Sequence, residues 1–187
     1  MPPWSLRLLG LLFCALPAPG GAAEDVSVDA QRHGERVRVR ANAVLFAPPH
    51  IVWQVLTDYE RLPAFIPGIS RSVVRVRDGH RVVLEQGGEA RFFIFSFPIE
   101  VRLEVQELPP HAVSSRTLGG NLRRMEGRYE LAPDAARGTV TLRYSGEIEP
   151  EFSLPPIIGL AAMRHMAEEQ FSALVHEIER RAGRAPR

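Results

Sequence analysis

Between residues 99 and 106 every second side chain is aliphatic: Ile99, Val101, Leu103 and Val105 alternate with Glu100, Arg102, Glu104 and Gln106. Successive side chains of a strand point to opposite faces, so a period of two describes a strand that is dry on one side and wet on the other, as in an antiparallel sheet. The same alternation recurs over 36–45, 113–118, 124–131 and 140–148, then stops ahead of one long helical segment. A sheet with one apolar face needs one cover.

The segment 155–182 supplies it. Leu160, Met163, Ala167, Phe171, Leu174 and Ile178 follow three- and four-residue steps, while His165, Glu169, Ser172, His176 and Glu179 mark the opposite, solvated face. A curved sheet closed by one helix encloses more space than its own side chains fill. Function is therefore expected in a cavity between the layers.

Composition narrows the chemistry. All 23 basic residues are arginine, which excludes Schiff-base chemistry and any catalytic lysine. Residues 1–23 carry a lone Arg7, an apolar run over 8–16, the breaker Pro17-Ala18-Pro19-Gly20 and small residues up to Ala23, the pattern of a secretory signal peptide. Its removal would take away Cys14, the single cysteine, and with it any disulfide, thiolate nucleophile or Cys-bound zinc. It would also leave 22 arginines against 22 acidic residues, a formal charge of zero, so a nucleic-acid partner is not expected. The mature protein is expected to be periplasmic or secreted.

The polar, aperiodic stretch 24–34 reads as a flexible tail, 35–183 as one domain and 184–187 as a second tail. Pro48-Pro49 pre-sets a helix start before Ile51, Val52, Val55 and Leu56, and a second short helix is expected from Tyr59. Pro63, Pro67 and Gly68 then enclose Phe65, Ile66 and Ile69, an apolar segment too broken for a helix interior and expected to form a lip. Asp78-Gly79 signals a hairpin between strands over 73–77 and 82–86, and Gly87-Gly88 is expected to start the next one. Residues 92–97 are apolar on both faces and leave their register open. Residues 118–121 read as a connection, and the apolar 150–159, with Phe152 and Ile157, as a second lip.

Ala47-Pro48 before Trp53, Val55-Leu56-Thr57-Asp58-Tyr59-Glu60, Phe65-Ile66-Pro67 and Ser70, with Gly120 to Gly127, Tyr144 and Pro150, are the words of a family. Over residues 36–181 the chain resembles the SRPBCC superfamily and, within it, the polyketide cyclase/dehydrase and coenzyme Q-binding START-like family in its secreted bacterial form. The resemblance implies an α+β helix-grip fold of the START and birch-pollen-allergen type: about seven curved antiparallel strands wrapped round a long C-terminal helix, with two short helices after the first strand. It implies a hydrophobic tunnel for lipids, quinones or polyketides, and it implies architecture far more than chemistry.

No catalytic residue is assigned. Asp58 and Glu60 point in different directions and are expected to cap, and His50, His111 and His165 have no metal-ligand spacing, so neither a metal nor a cofactor is expected. Tyr129 and Tyr144 share inward parity with Met125, Leu131, Leu142 and Ile148, and a hydroxyl in such a place orients a ligand's polar end or bonds to backbone. Arg123 and Arg124 are the other polar anchors, with outer-face ion pairing as their plainer use. Val101, Leu103, Met125, Leu160, Met163 and Ala167 are expected to bury the ligand, and Phe65, Ile69, Phe152 and Ile157 to gate it.

The expected function is binding of a lipid, isoprenoid quinone or polyketide-like compound by a monomeric carrier or sequestering protein of the cell envelope, with transient membrane contact at the cavity mouth. A cyclase or dehydratase acting on a hydrophobic substrate, or an envelope interaction protein docking through 92–97, are the rival readings.

Overall fold

Each alternating segment is a strand, and one helix covers the face they share. The computed structural model describes residues 24–92, 95–151 and 156–183. Among them the strands are β1 (Glu24–His33), β2 (Arg36–Leu45), β3 (Ile69–Asp78), β4 (Arg81–Phe92), β5 (Phe95–Leu108), β6 (Ala112–Gly120), β7 (Leu122–Asp134) and β8 (Thr139–Pro150). They pair antiparallel in the order β1-β2-β8-β7-β6-β5-β4-β3. Helix α1 (Pro49–Leu56), a 3₁₀ helix (Tyr59–Ala64) and the long α2 (Pro156–Arg181) complete the α+β helix-grip architecture.

Eight strands stand where about seven were expected, because the stretch read as a flexible tail is β1. It pairs with β2 from Glu24↔Val44 to His33↔Arg36. Val28 and Ala30 pack with Val37, Val39, Met163, Leu160 and Ala167, so β1 also helps to seat the first half of α2. Its alternation is faint because it is an edge strand that is at most half-buried.

Two glycine pairs were misread as turns. Gly87 and Gly88 lie inside β4, paired with Glu100 and Ile99. A Cβ on Gly88 would stand 1.9 Å from the carbonyl oxygen of Gly68, so this glycine admits another piece of backbone and turns nothing. Gly119 and Gly120 likewise belong to β6, and Asn121 alone links it to β7. The hairpin over Asp78-Gly79 forms as expected, with Asp78 opposite Arg81. Phe92 pairs with Phe95 across the tip of the β4–β5 hairpin, whose residues 93–94 lie outside the described residues.

Pro48 and Pro49 start α1 without a side-chain cap, and its Val52, Val55 and Leu56 are buried. On α2 the buried set includes Met163, Phe171, Leu174, Val175 and Ile178. Glu179, expected on the solvated face, is buried, because the last turns of α2 lie beside α1 as well as over the sheet. Asp58 makes no cap. Its carboxylate takes Arg181 at 2.8 Å and so ties the end of α2 to the start of the 3₁₀ helix.

Arg181 also reaches Glu177 at 2.7 Å, and Arg180 holds the same carboxylate at 2.7 Å. These guanidinium groups, Arg180 most strongly, pull the Glu177 carboxyl from its ordinary 4.5 down to about 2, against the opposing effect of burial. A carboxyl lowered on folding stabilises the protein above its unfolded-state value and loses that contribution as pH falls through the folded one. Wild type should therefore exceed Glu177→Gln by about 1–2 kcal/mol at neutral pH, a figure kept modest by the exposure of Arg180. Urea unfolding of both proteins should show the gap closing between about pH 5 and pH 2.

Candidate functional site

The inner face of the sheet, α2 and the segment after α1 enclose a cavity of about 190 Å³. Its floor comes from Leu84 on β4, Leu103 and Val105 on β5, Val113 on β6, Met125 and Tyr129 on β7, and Tyr144 and Ile148 on β8. Its roof is the α2 stripe Met163, Met166, Ala167, Gln170 and Phe171. Leu62, Ile66 and Ile69 close the end near the 3₁₀ helix.

That end is a lip held from two sides. The Gly68 carbonyl accepts a hydrogen bond from the Glu89 amide on β4 at 2.9 Å, and the Pro67 carbonyl accepts one from Gln170 Nε2 on α2 at 3.0 Å. Gly68 makes the bend at φ +82°, where a side chain would be strained.

The wall's polar groups divide into two sets. Some are engaged within the protein: the Tyr59 hydroxyl donates to the buried Glu107 at 2.9 Å, Gln86 Nε2 donates to Ser72 at 3.2 Å, and Gln170 holds the lip. Arg77 bonds the Glu107 carboxylate at 3.2 Å and lies over the Tyr59 ring at 5.8 Å, so Tyr59 pins the 3₁₀ helix to β5. Ser115, Tyr129 and Tyr144 form the second set, whose hydroxyls bond to no described side chain or backbone group.

Tyr129 and Tyr144 face each other across β7 and β8, ring centroids 4.7 Å apart and tilted by 40°. Burial pushes the Tyr144 phenol up to about 12. Burial, and then the neighbouring Tyr144, raise Tyr129 as well, so both remain protonated donors at neutral pH. Apart from phenols, the wall holds no ionisable side chain among the described residues.

The cavity thus brings together Ile69, Leu103, Met125, Tyr129, Tyr144, Met163 and Ala167 from the expected set. Val101 is buried in the core but does not reach the wall. Leu160 packs toward β1 and β2, one turn short of the cavity. Phe65 lies under the Arg181 guanidinium at 5.6 Å and does not line the cavity. Phe152 and the side chain of Ile157 lie outside the described residues.

Arg123 and Arg124 are not aimed inward. Arg123 pairs with Glu35 at 2.9 Å and Glu149 at 3.2 Å, and Arg124 with Glu126 at 2.7 Å, all on the outer face. Thr117, another polar residue on the inner side, bridges β6 to β7 by exchanging hydrogen bonds with the Met125 backbone.

Sequence reading missed Leu62, Met166 and Gln170, although 163, 166, 170 and 174 continue the helical stripe by steps of three and four. It also missed Gly127 and Gly146. These two glycines pair across β7 and β8 next to the tyrosine pair, and a Cβ on Gly146 would fall 2.3 Å from the Tyr144 hydroxyl. Glycine inside a strand is itself the signal of such a close approach.

No curated protein matches the chain. Among solved structures it is similar to a STAR-related lipid transfer protein from Xanthomonas axonopodis, at 17% identity and TM-score 0.66 over 86% of this chain and 97% of that one. It is also similar to the Zhui aromatase/cyclase from a Streptomyces species, at 14% identity and TM-score 0.65 over 79% of this chain and 94% of that one. A START superfamily protein from Mycobacterium smegmatis shares 16% identity at TM-score 0.61, over 78% and 97% of the two chains. At such identities these likenesses concern the fold. Residues 45–175 match the family described as polyketide cyclase / dehydrase and lipid transport, and the chain belongs to that family.

Proposed function

We propose that this chain binds a hydrophobic small molecule in the cavity beneath α2, as a carrier or sequestering protein of the cell envelope. The observation that carries the reading is the wall itself: aliphatic, methionine and aromatic side chains with a few neutral polar groups. Each 100 Å² of apolar ligand surface withdrawn from water contributes about 2.5 kcal/mol before ordering costs. Family membership supports hydrophobic-ligand binding, lipid transport or cyclase activity as the class. Acid–base chemistry on a bound substrate needs groups that titrate near neutral pH, and the described wall offers phenols alone. Binding is therefore the better-supported member of the class. The leader-like residues 1–23 support placement in the envelope.

A cavity of about 190 Å³ is smaller than the roughly 300–1,000 Å³ that surrounds drug-sized ligands, so a compact ring system or a short run of acyl chain fits without moving the lip.

The test combines native mass spectrometry of protein from its own envelope with titration of tetralin, a neutral apolar probe. A retained hydrophobic compound, or saturable tetralin binding, is expected. Met163→Trp should fill the roof and weaken tetralin binding at least about tenfold while the protein stays folded. Undiminished uptake by the folded variant would remove the cavity from the account.

A further inference from the structure

The row of residues beside the tyrosine pair holds no bulk. Gly127 pairs with Gly146 across β7 and β8, and with Ser115 across β6 and β7, so three neighbouring strands present glycine, glycine and serine side by side. A Cβ on Gly127 would lie 3.0 Å from the Tyr144 hydroxyl and 3.4 Å from Ser115 Oγ. Tyr144 therefore lies back along β8 with its hydroxyl above the glycines, and Ser115 Oγ borders the same gap. Tyr129 stands against the Tyr144 ring on the other side.

Polar groups drawn out of bulk water normally find a partner, and elsewhere along this wall the Tyr59 hydroxyl and the Gln86 and Gln170 amides have done so, whereas three half-buried hydroxyls face the cavity. At the glycine floor Ser115, Tyr129 and Tyr144 have none among the described residues. The donors left over are concentrated at one point of an otherwise apolar cavity. An acceptor on a ligand would satisfy them.

The charge of that ligand follows from the rest of the wall. An ionised carboxylate or phosphate moved here would lose its hydration and meet no arginine, lysine or histidine among the described lining residues. Of the arginines nearest in sequence, Arg116 and Arg128 pair with Glu104 and Glu130, and Arg143 is exposed. A neutral acceptor incurs no such penalty.

We infer that the ligand is an uncharged, compact compound bearing a carbonyl-type acceptor, held by the hydroxyls of Tyr129 and Tyr144, the latter laid over Gly127 and Gly146. This rests on the binding reading above and names the class of ligand for the same cavity. Ionised fatty acids and phosphate-bearing headgroups fall outside it. Gly127 and Gly146 make room for the Tyr144 hydroxyl, and the two tyrosines set the position of the acceptor.

The test compares three probes of one shape on the full chain at neutral pH: tetralin, its ketone α-tetralone, and a tetralin carboxylate. Wild type should bind the ketone about tenfold more tightly than tetralin, and the carboxylate at least about tenfold more weakly than the ketone, as expected for hydroxyl bonds made or charge buried. In the double variant Tyr129→Phe/Tyr144→Phe the ratio of ketone to tetralin affinity should fall from about ten to about one. Equal affinity of wild type for tetralin and the ketone, tightest binding of the carboxylate, or a preference that survives in the folded double variant would overturn the inference and leave cavity binding standing. Failure of wild type to bind both neutral probes would overturn the binding reading and this inference together. The wild-type comparison decides even where the double variant does not fold.

Discussion

Gly88→Ala should cost roughly 2–4 kcal/mol of stability, far more than one added methyl group suggests. The new Cβ would stand 1.9 Å from the Gly68 carbonyl oxygen, 2.9 Å from its carbon and 3.1 Å from the Ile69 Cα, all of them backbone atoms with no rotamer to escape into. Relief requires moving the lip away from β4, which sacrifices the bond from the Glu89 amide to the Gly68 carbonyl. Urea midpoints measure the loss, and faster proteolysis over 66–69 would report its place. Gly119→Ala is the control: nothing lies within 4 Å of its Cβ site, and the change should stay within about 0.5 kcal/mol. Equal midpoints for the two variants would mean that the lip yields freely.

Ile178→Ala should cost about 2–5 kcal/mol, enough to threaten folding in a domain whose whole stability is of order 5–15 kcal/mol. Ile178 is wholly buried near the end of α2, in the core cluster that joins α1 to the sheet through Val52, Val55, Leu45 and Leu142. The end of α2 cannot readily collapse into the void, because Arg181 is tied to Asp58 and Glu177 at the same turn. Ile178→Val, which keeps most of the volume, should lose only about 0.5–1.5 kcal/mol. Denaturant unfolding of the two variants would separate the cavity effect from a mere loss of β-branching. An Ile178→Ala protein as stable as Ile178→Val would show that the helix end repacks.

The sheet was legible wherever one face is buried and the other wet, as from Ile99 to Gln106, since alternation records just that difference. It failed at β1, where an edge strand is wet on most sides and Val28 and Ala30 stand among polar neighbours. It failed at Gly87 and Gly88 for another reason: the cause of a glycine is an atom far away in sequence, here the Gly68 carbonyl. The same limit hid Gly127 and Gly146, whose partner is the Tyr144 hydroxyl. The inward parity of Tyr129 and Tyr144 was readable from strand period alone, whereas the absence of a hydrogen-bond partner for their hydroxyls among the described residues was not. Arg123 and Arg124 drew notice through family words, but their surroundings are carboxylates from β8, β7 and the β1–β2 turn. Phe65 lies on the lip segment as expected, yet its ring serves Arg181.

The outer face of the sheet carries a pattern of sharing. Glu85 on β4 takes Arg75 from β3 and Arg102 from β5, Glu104 on β5 takes Arg81 from β4 and Arg116 from β6, and Glu149 on β8 takes Arg36 from β2 and Arg123 from β7. Each carboxylate is a rivet through three strands, and a planar guanidinium is the cation best shaped to share it. Losing one arginine leaves its carboxylate still paired, whereas losing one carboxylate sets two like charges facing each other across a strand. Acids and arginines are almost equal in number on this chain, but they are unequal in what the loss of one does to the outer face.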